Sequence, residues 1–184
     1  MIFCSIASLQ NRGNKKKVEK QVASEIIMAN RNNIIHNIPF FHNKQGQGED
    51  AVLLTGEAAT MSLSDKITSV LAMSETNTEL NDSEHIYILG VDKDQKVVLL
   101  KIQLMFKEEQ FKMVVAKTIV IDSLDTSASY TVMSTPTKVA VATSDQIIVV
   151  NARTFKNTQT VSIAGEPTSE LICKCCLIIN LTLL

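Results

Sequence analysis

Cysteine is missing from the whole middle of the chain. The four that occur are Cys4, Cys173, Cys175 and Cys176, so none lies between residues 5 and 172. A disulfide-stapled secreted domain spreads its cysteines through its core, so this distribution argues for a reducing compartment, cytoplasmic or nuclear. An excess of basic charge is missing too. The net charge is −1 at pH 7, which excludes the strongly basic footprint of a general nucleic-acid binder and leaves room only for a local patch. Histidine is scarce, with three in all, and no Gly-x-Ser-x-Gly occurs. His36 and His42 fall in a polar stretch and His85 opens an apolar run, so no nucleophile has a base and an orienting acid in a recognisable pattern. The first nine residues, MIFCSIASL, form a mainly apolar stretch that precedes the cationic run Lys15-Lys16-Lys17. A secretory signal has the reverse order and a longer apolar core.

What is present is ordinary globular composition. The chain has 184 residues, 45% of them hydrophobic and 20% charged, but only 4% aromatic and no Trp. That is enough for one domain with a real core. The sequence divides into three stretches. Residues 1–50 read as an N-terminal helix and a polar linker. In Lys15 to Asn30, Val18, Val22 and Ile26 stand at i, i+4, i+8 spacing, with Ala29 on the same helical face, the mark of an amphipathic helix. Its apolar face lacks the Trp, Phe or Leu of a membrane-surface helix. Asn30 to Asp50, rich in Asn, Gln and Gly, reads as a loop. Lys44 to Gly48 lacks the order of a phosphate loop, and His36 and His42 have no Cys or carboxylate cluster beside them to make a metal site.

From residue 51 to 164, β signals dominate. Ala51–Thr55 and Ile67–Met73 are short strand candidates, and Glu75–Glu84 is a polar, acidic loop. Then Ile86 to Val91, the turn Asp92-Lys93-Asp94-Gln95 and Val97 to Ile102 form a hairpin. About fifty residues later the plan recurs. Val139 to Ala142, the turn Thr143-Ser144-Asp145-Gln146 and Ile147 to Val150 make a second hairpin. The flanks repeat as well. A strand candidate precedes each hairpin (Ile67–Met73, Ser129–Met133). A short polar connection (Phe106–Gln110, Thr154–Asn157) and a further strand (Phe111–Ile121, Thr158–Ile163) follow it. Four strands per unit at a spacing of roughly forty to fifty residues is the rhythm of β-propeller blades. A β-sandwich and an up-and-down barrel are the other all-β readings of the same strands.

Over about residues 65–164 the chain resembles the WD-repeat family of β-propellers. The resemblance rests on the Asp-containing turns Asp92-Lys93-Asp94-Gln95 and Ser144-Asp145-Gln146, and on the strands Lys96–Lys101 and Ile147–Thr154 that follow them. The chain departs from the family pattern at its signature residues. Leu100-Lys101 and Val150-Asn151 stand where the family has Trp-Asp, and the Gly-His that opens a repeat is missing. The resemblance implies an all-β, partial propeller of two to three four-stranded antiparallel blades, preceded by the short helix. It further implies a non-catalytic protein–protein interaction scaffold. The alternative is a propeller-type regulatory factor or enzyme whose activity sits on a loop such as Glu75–Glu84 or Gln103–Gln110. Two blades do not close a ring, so the expectation is a fragment or subunit of a larger propeller.

The third stretch, residues 165–184, is an apolar tail after the break Gly165-Glu166-Pro167-Thr168. Leu171 to Leu184 is too short for a membrane-spanning helix, which needs about twenty residues. It reads as a buried strand of a next blade, as the tail of a truncated reading frame, or as a membrane-associating tail acylated at Cys173, Cys175 and Cys176. Three Cys crowded into four residues make a poor zinc site, and the Cys173–Cys176 spacing lacks the strand-to-helix context of a redox motif. The sequons Asn81-Asp82-Ser83 and Asn180-Leu181-Thr182 are short enough to arise by chance.

The carboxylates cluster in polar turns: Glu79, Asp82 and Glu84; Glu108 and Glu109; Asp122 and Asp125. Asp92, Asp94 and Asp145 read as turn-formers whose side chains bond nearby backbone N–H groups. No catalytic, cofactor-binding or metal-ligating residue is expected. The expected partner is another protein; nucleic acid is not expected, and membrane contact enters only in the alternative, through the C-terminal tail.

Overall fold

Strands of the middle of the chain are continuous apolar runs, because both of their faces are buried. In Ile86–Val91, the even positions Ile86 and Ile88 turn to one side and the odd positions Tyr87 and Leu89 to the other, and all four are 0–1% exposed. That pattern needs a layer on each face, and the fold supplies them. A computed structural model of the chain describes residues 3–8, 22–42, 53–55, 57–76, 84–107 and 110–162. Among the described residues there is no helix.

Three antiparallel sheets stack face to face. The first contains β1 (Phe3–Ser8), β2 (Val22–Ala29), β3 (Ile34–His42), β4 (Leu53–Thr55) and β5 (Ala59–Ser62); both β4 and β5 pair with β3. The second runs in sequence order through β6 (Ser69–Thr76), β7 (Glu84–Val91), β8 (Val97–Lys107) and β9 (Gln110–Val120). The third does the same through β10 (Thr131–Ser134), β11 (Lys138–Ala142), β12 (Gln146–Asn151) and β13 (Asn157–Ser162). The first strands lie side by side, β1 against β6 and β6 against β10. A hydrogen bond of 2.9 Å between the hydroxyls of Ser74 and Ser134 joins the last two. At the far edge β5 lies against β9.

Two aliphatic layers fill the stack. Ile27, Ala29 and Ile35 of the first sheet, with Leu63 and Ile67 beyond it, meet Ile88, Leu100, Ile102 and Leu104 of the second. On its other face the second sheet sets Leu89, Val97 and Leu99 against Val139, Val141, Ile148 and Val150 of the third. Each such side chain contributes about 1.5–3 kcal/mol by leaving water.

The two hairpins read from the sequence are present as β7–β8 and β11–β12, in the registers Val91 opposite Val97 and Ala142 opposite Ile147. The flanking strands are also present, as β6, β9, β10 and β13. Three expectations are corrected. The first is the N-terminal helix: Val22–Ala29 is strand β2, and residues 15–21 lie outside the described set. Its true period is two, because Ile27 and Ala29 are buried while Ile26 and Met28 are half-buried. The second is the linker: Ile34–His42 is strand β3. Its pairing with β4 and β5 puts strands from either side of residue 50 into one sheet. Pro39 is tolerated there because β5 pairs only as far as Asn37 and β4 starts at Phe40, so on that edge the missing N–H removes no bond. The third is the loop at Gln103–Gln110. Residues through Lys107 belong to β8, and Gln110 opens β9.

The first sheet also carries a third copy of the hairpin turn. In the β7–β8 turn, Asp92 Oδ1 accepts the N–H groups of Asp94 and Lys96, both at 2.9 Å, and Gln95 takes a left-handed φ of 60°. In the β2–β3 turn, Asn30 Oδ1 accepts the N–H groups of Asn32 (2.9 Å) and Ile34 (3.1 Å), and Asn33 has φ 57°. This is a turn closed by a left-handed residue, with the first side chain satisfying its donors. In the β11–β12 turn Thr143 takes that role, accepting from the N–H of Gln146 at 3.1 Å. Of the expected turn-formers, Asp92 therefore bonds the backbone as read. Asp94 supplies only its own N–H, and Asp145 accepts the Thr143 hydroxyl.

Candidate functional site: the seam between the second and third sheets

The second sheet is longer than the third. β8 and β9 have 11 residues each, whereas β12 and β13 have 6 each. The β8–β9 hairpin therefore runs on past the third sheet. Its far face stays packed, with Ile102, Leu104 and Phe111 buried against the first sheet. Among the described residues no sheet packs on its near face. Gln103 lies opposite Val114, and Met105 opposite Lys112. Gln103 and Met105 are half-buried, Lys112 is exposed, and Val114 is 42% exposed. The result is a ledge of two paired strands, stiffened from behind by the core.

Where the ledge meets the third sheet, a row of side chains crosses it. Tyr87, Lys101 and Lys117 are cross-strand neighbours on β7, β8 and β9. Opposite them is the β12–β13 turn. Phe155 N–H donates to the Asn151 carbonyl at 2.8 Å, one helical turn's worth of chain that leaves the next carbonyls pointing outward. The second sheet supplies the donors. Lys101 Nζ donates to the Ala152 carbonyl at 2.8 Å, and Lys117 Nζ to that of Arg153. Cations suit the carbonyl end of such a turn. Lys101 also lies 6.0 Å from the Tyr87 ring centroid, within cation–π range. Burial, with the neighbouring Lys117 charge, lowers the Lys101 pKa below its ordinary value.

The rings continue the row. Tyr87 stacks on Phe155 with centroids 6.4 Å apart, and on His85 at 6.5 Å. Burial, and after it the Lys101 charge, pushes the His85 pKa down to about 4. Burial pushes Tyr87 up to about 12. Both are therefore neutral at pH 7. Among the described residues no carboxylate orients this neutral imidazole, which lies beside the Tyr87 ring and the Lys101 charge. Asp92, Asp94, Asp122, Asp125 and Asp145 lie in turns at the other end of these sheets. There Asp122 pairs with Lys96 at 3.6 Å across an exposed gap, and Asp125 accepts from Ser127. The ammonium groups and rings at the seam do positional chemistry: they lock the third sheet onto the second.

Among the described residues no group of three or more His, Cys, Asp or Glu is placed to hold a metal ion, and no helix is long and apolar enough to cross a membrane. His36 is half-buried and hydrogen-bonded to Asn30 at 3.2 Å. Glu79, Asp82, Glu108, Glu109, Cys173, Cys175 and Cys176 lie outside the described residues. The seam and the ledge were not legible beforehand. Lys101 and Lys117 look like ordinary strand polar positions, and only their cross-strand register with Tyr87 brings them together. No protein-family model, no curated protein and no solved structure matches the chain.

Proposed function

We propose that the chain is a non-catalytic protein–protein interaction scaffold, built from sheets that stack like WD-repeat-type propeller blades. Three features support the blade reading. The second and third sheets are meanders in sequence order, the first strands of all three sheets run side by side, and one turn recurs in the first two sheets with a variant in the third. The observation that carries the scaffold reading is the ledge. Val114, Met105 and Gln103 offer partly apolar surface on a rigid ribbon, the setting in which exposed apolar area serves contact with another protein.

The test is affinity capture with quantitative mass spectrometry, comparing the chain with Val114→Asp. This substitution sits at an exposed site, so circular dichroism and melting should stay as in the parent. The expected result is loss of the captured partners from the variant alone. Partners captured equally by both chains would remove the ledge from the proposal.

A further inference from the structure

The outer face of the third sheet is buried, and nothing described covers it. Ala140 and Ala142 of β11 and Ile147 and Val149 of β12 are 1%, 6%, 0% and 3% exposed. They form a cluster of their own, joined only by Met133 of β10. Cross-strand register places Ala140 opposite Val149 and Ala142 opposite Ile147, so these are one continuous patch, turned away from the second sheet. A lone sheet face would leave such side chains open to water. Nothing among the described residues accounts for their exclusion from water.

The stretches outside the described set differ sharply in what they offer. Residues 9–21 (LQNRGNKKKVEKQ), 43–52 (NKQGQGEDAV) and 77–83 (NTELNDS) are dominated by charged and amide side chains. Residues 171–184, LICKCCLIINLTLL, are almost wholly apolar. They also follow closely on β13, which ends at Ser162 next to β12. We infer that the outer face of the third sheet is the docking site of the apolar segment Leu171–Leu184, which takes the place a further sheet would have in the stack. The small side chains Ala140 and Ala142 make room for a close approach, and Ile147 and Val149 supply the contact area. This inference stands apart from the scaffold reading, since it concerns the outer face of the third sheet and not the ledge on the second.

Two measurements on the full chain test it. Under reductant, iodoacetamide labelling followed by mass spectrometry reads Cys173, Cys175 and Cys176 individually. Each is expected to react about tenfold or more slowly in the native chain than in urea. Equal rates overturn the docking. In the second measurement, Leu177→Lys and Ile178→Lys are introduced together into the full chain, leaving every sheet residue unchanged. Amide exchange of β11 and β12 is expected to rise about tenfold while that of β7 and β8 holds. Unchanged exchange in β11 and β12 overturns the assignment of this segment as the cover.

Discussion

The two end sheets of the stack treat their outer faces differently. On the first sheet, Ile26, Met28, Ile34 and Ile38 are half-buried, with His36 among them. On the third, the equivalent aliphatic positions are sealed from water. The stack therefore has a partly open face at one end and a sealed one at the other. The sequence difference is visible. The β2–β3 hairpin mixes Asn and His into its strands, whereas β11 and β12 are VAVA and IIVV. A face seeded with polar groups can meet water, and an unbroken aliphatic face cannot.

Charge placed on each outer face is the strongest way to break the comparison. Val149→Asp puts an unpaired carboxylate where 3% of the side chain is exposed. It is expected to cost about 4 kcal/mol or more. Ile26→Asp on the half-open face is expected to cost about 1 kcal/mol. Thermal and urea melts of the two variants measure the difference. Equal losses would mean that the two faces are equally covered.

A second break concerns the middle sheet, which is packed on both sides. Gly90 of β7 pairs with Val70 and Val98. A Cβ built there would lie 2.7 Å from the Ser69 carbonyl oxygen and 2.9 Å from a methyl of Ile67. Backbone cannot yield as a flexible side chain does, so Gly90→Ala is expected to cost about 1–3 kcal/mol. A melt unchanged by that substitution would show that the joint between the first two sheets is looser than these distances.

How much could be read beforehand follows the same division. β7, β8, β11 and β12 were legible because burial on both faces forces long Val, Ile and Leu runs, and because Asp and Ser mark their turns. β3 was hidden by its own surface. Ile35 and Asn37 turn inward, His36 and Ile38 turn outward, and a strand that places an Asn in the core shows no clean alternation of apolar with polar. β2 was misread because Val22 and Ile26 also satisfy a helical spacing. The cue that would have separated the readings was the turn after it. Asn30-Arg31-Asn32-Asn33 matches Asp92-Lys93-Asp94-Gln95 position by position: an Asx residue, a basic residue, a second Asx residue and a left-handed amide residue. The seam was out of reach for a different reason. Lys101, Lys117 and Ala152 come together only through register and sheet stacking, which no local pattern encodes.

The matched turns sharpen the comparison at smaller scale. Asp92→Ala and Asn30→Ala each remove two hydrogen bonds to backbone N–H groups. These groups are exposed or only part-buried and can rebond to water, so each loss is expected to be about 0.5–1.5 kcal/mol. If the turns are equivalent, Asn30→Ala, which also loses the bond to His36, loses at least as much stability as Asp92→Ala in urea melts. A loss confined to Asp92→Ala would mean that the β2–β3 hairpin is held by packing alone.

The smallest effect is expected at the ledge, and it depends on pH. His85 has its pKa lowered from 6.5 to about 4 by burial and, second, by Lys101. The unfolded chain therefore binds a proton more readily than the folded one between those two values. Stability is then independent of this group above about pH 6.5, falls as the pH drops through the window, and levels off below about pH 4. His85→Gln keeps a polar side chain without the titration. It should flatten that part of the stability profile while leaving the plateau near neutral pH little changed. The difference between the parent and variant profiles isolates the contribution of His85. If the two profiles run parallel from pH 7 to 4, His85 is as open to water as the rest of the ledge, and the covered part of the second sheet ends at Tyr87.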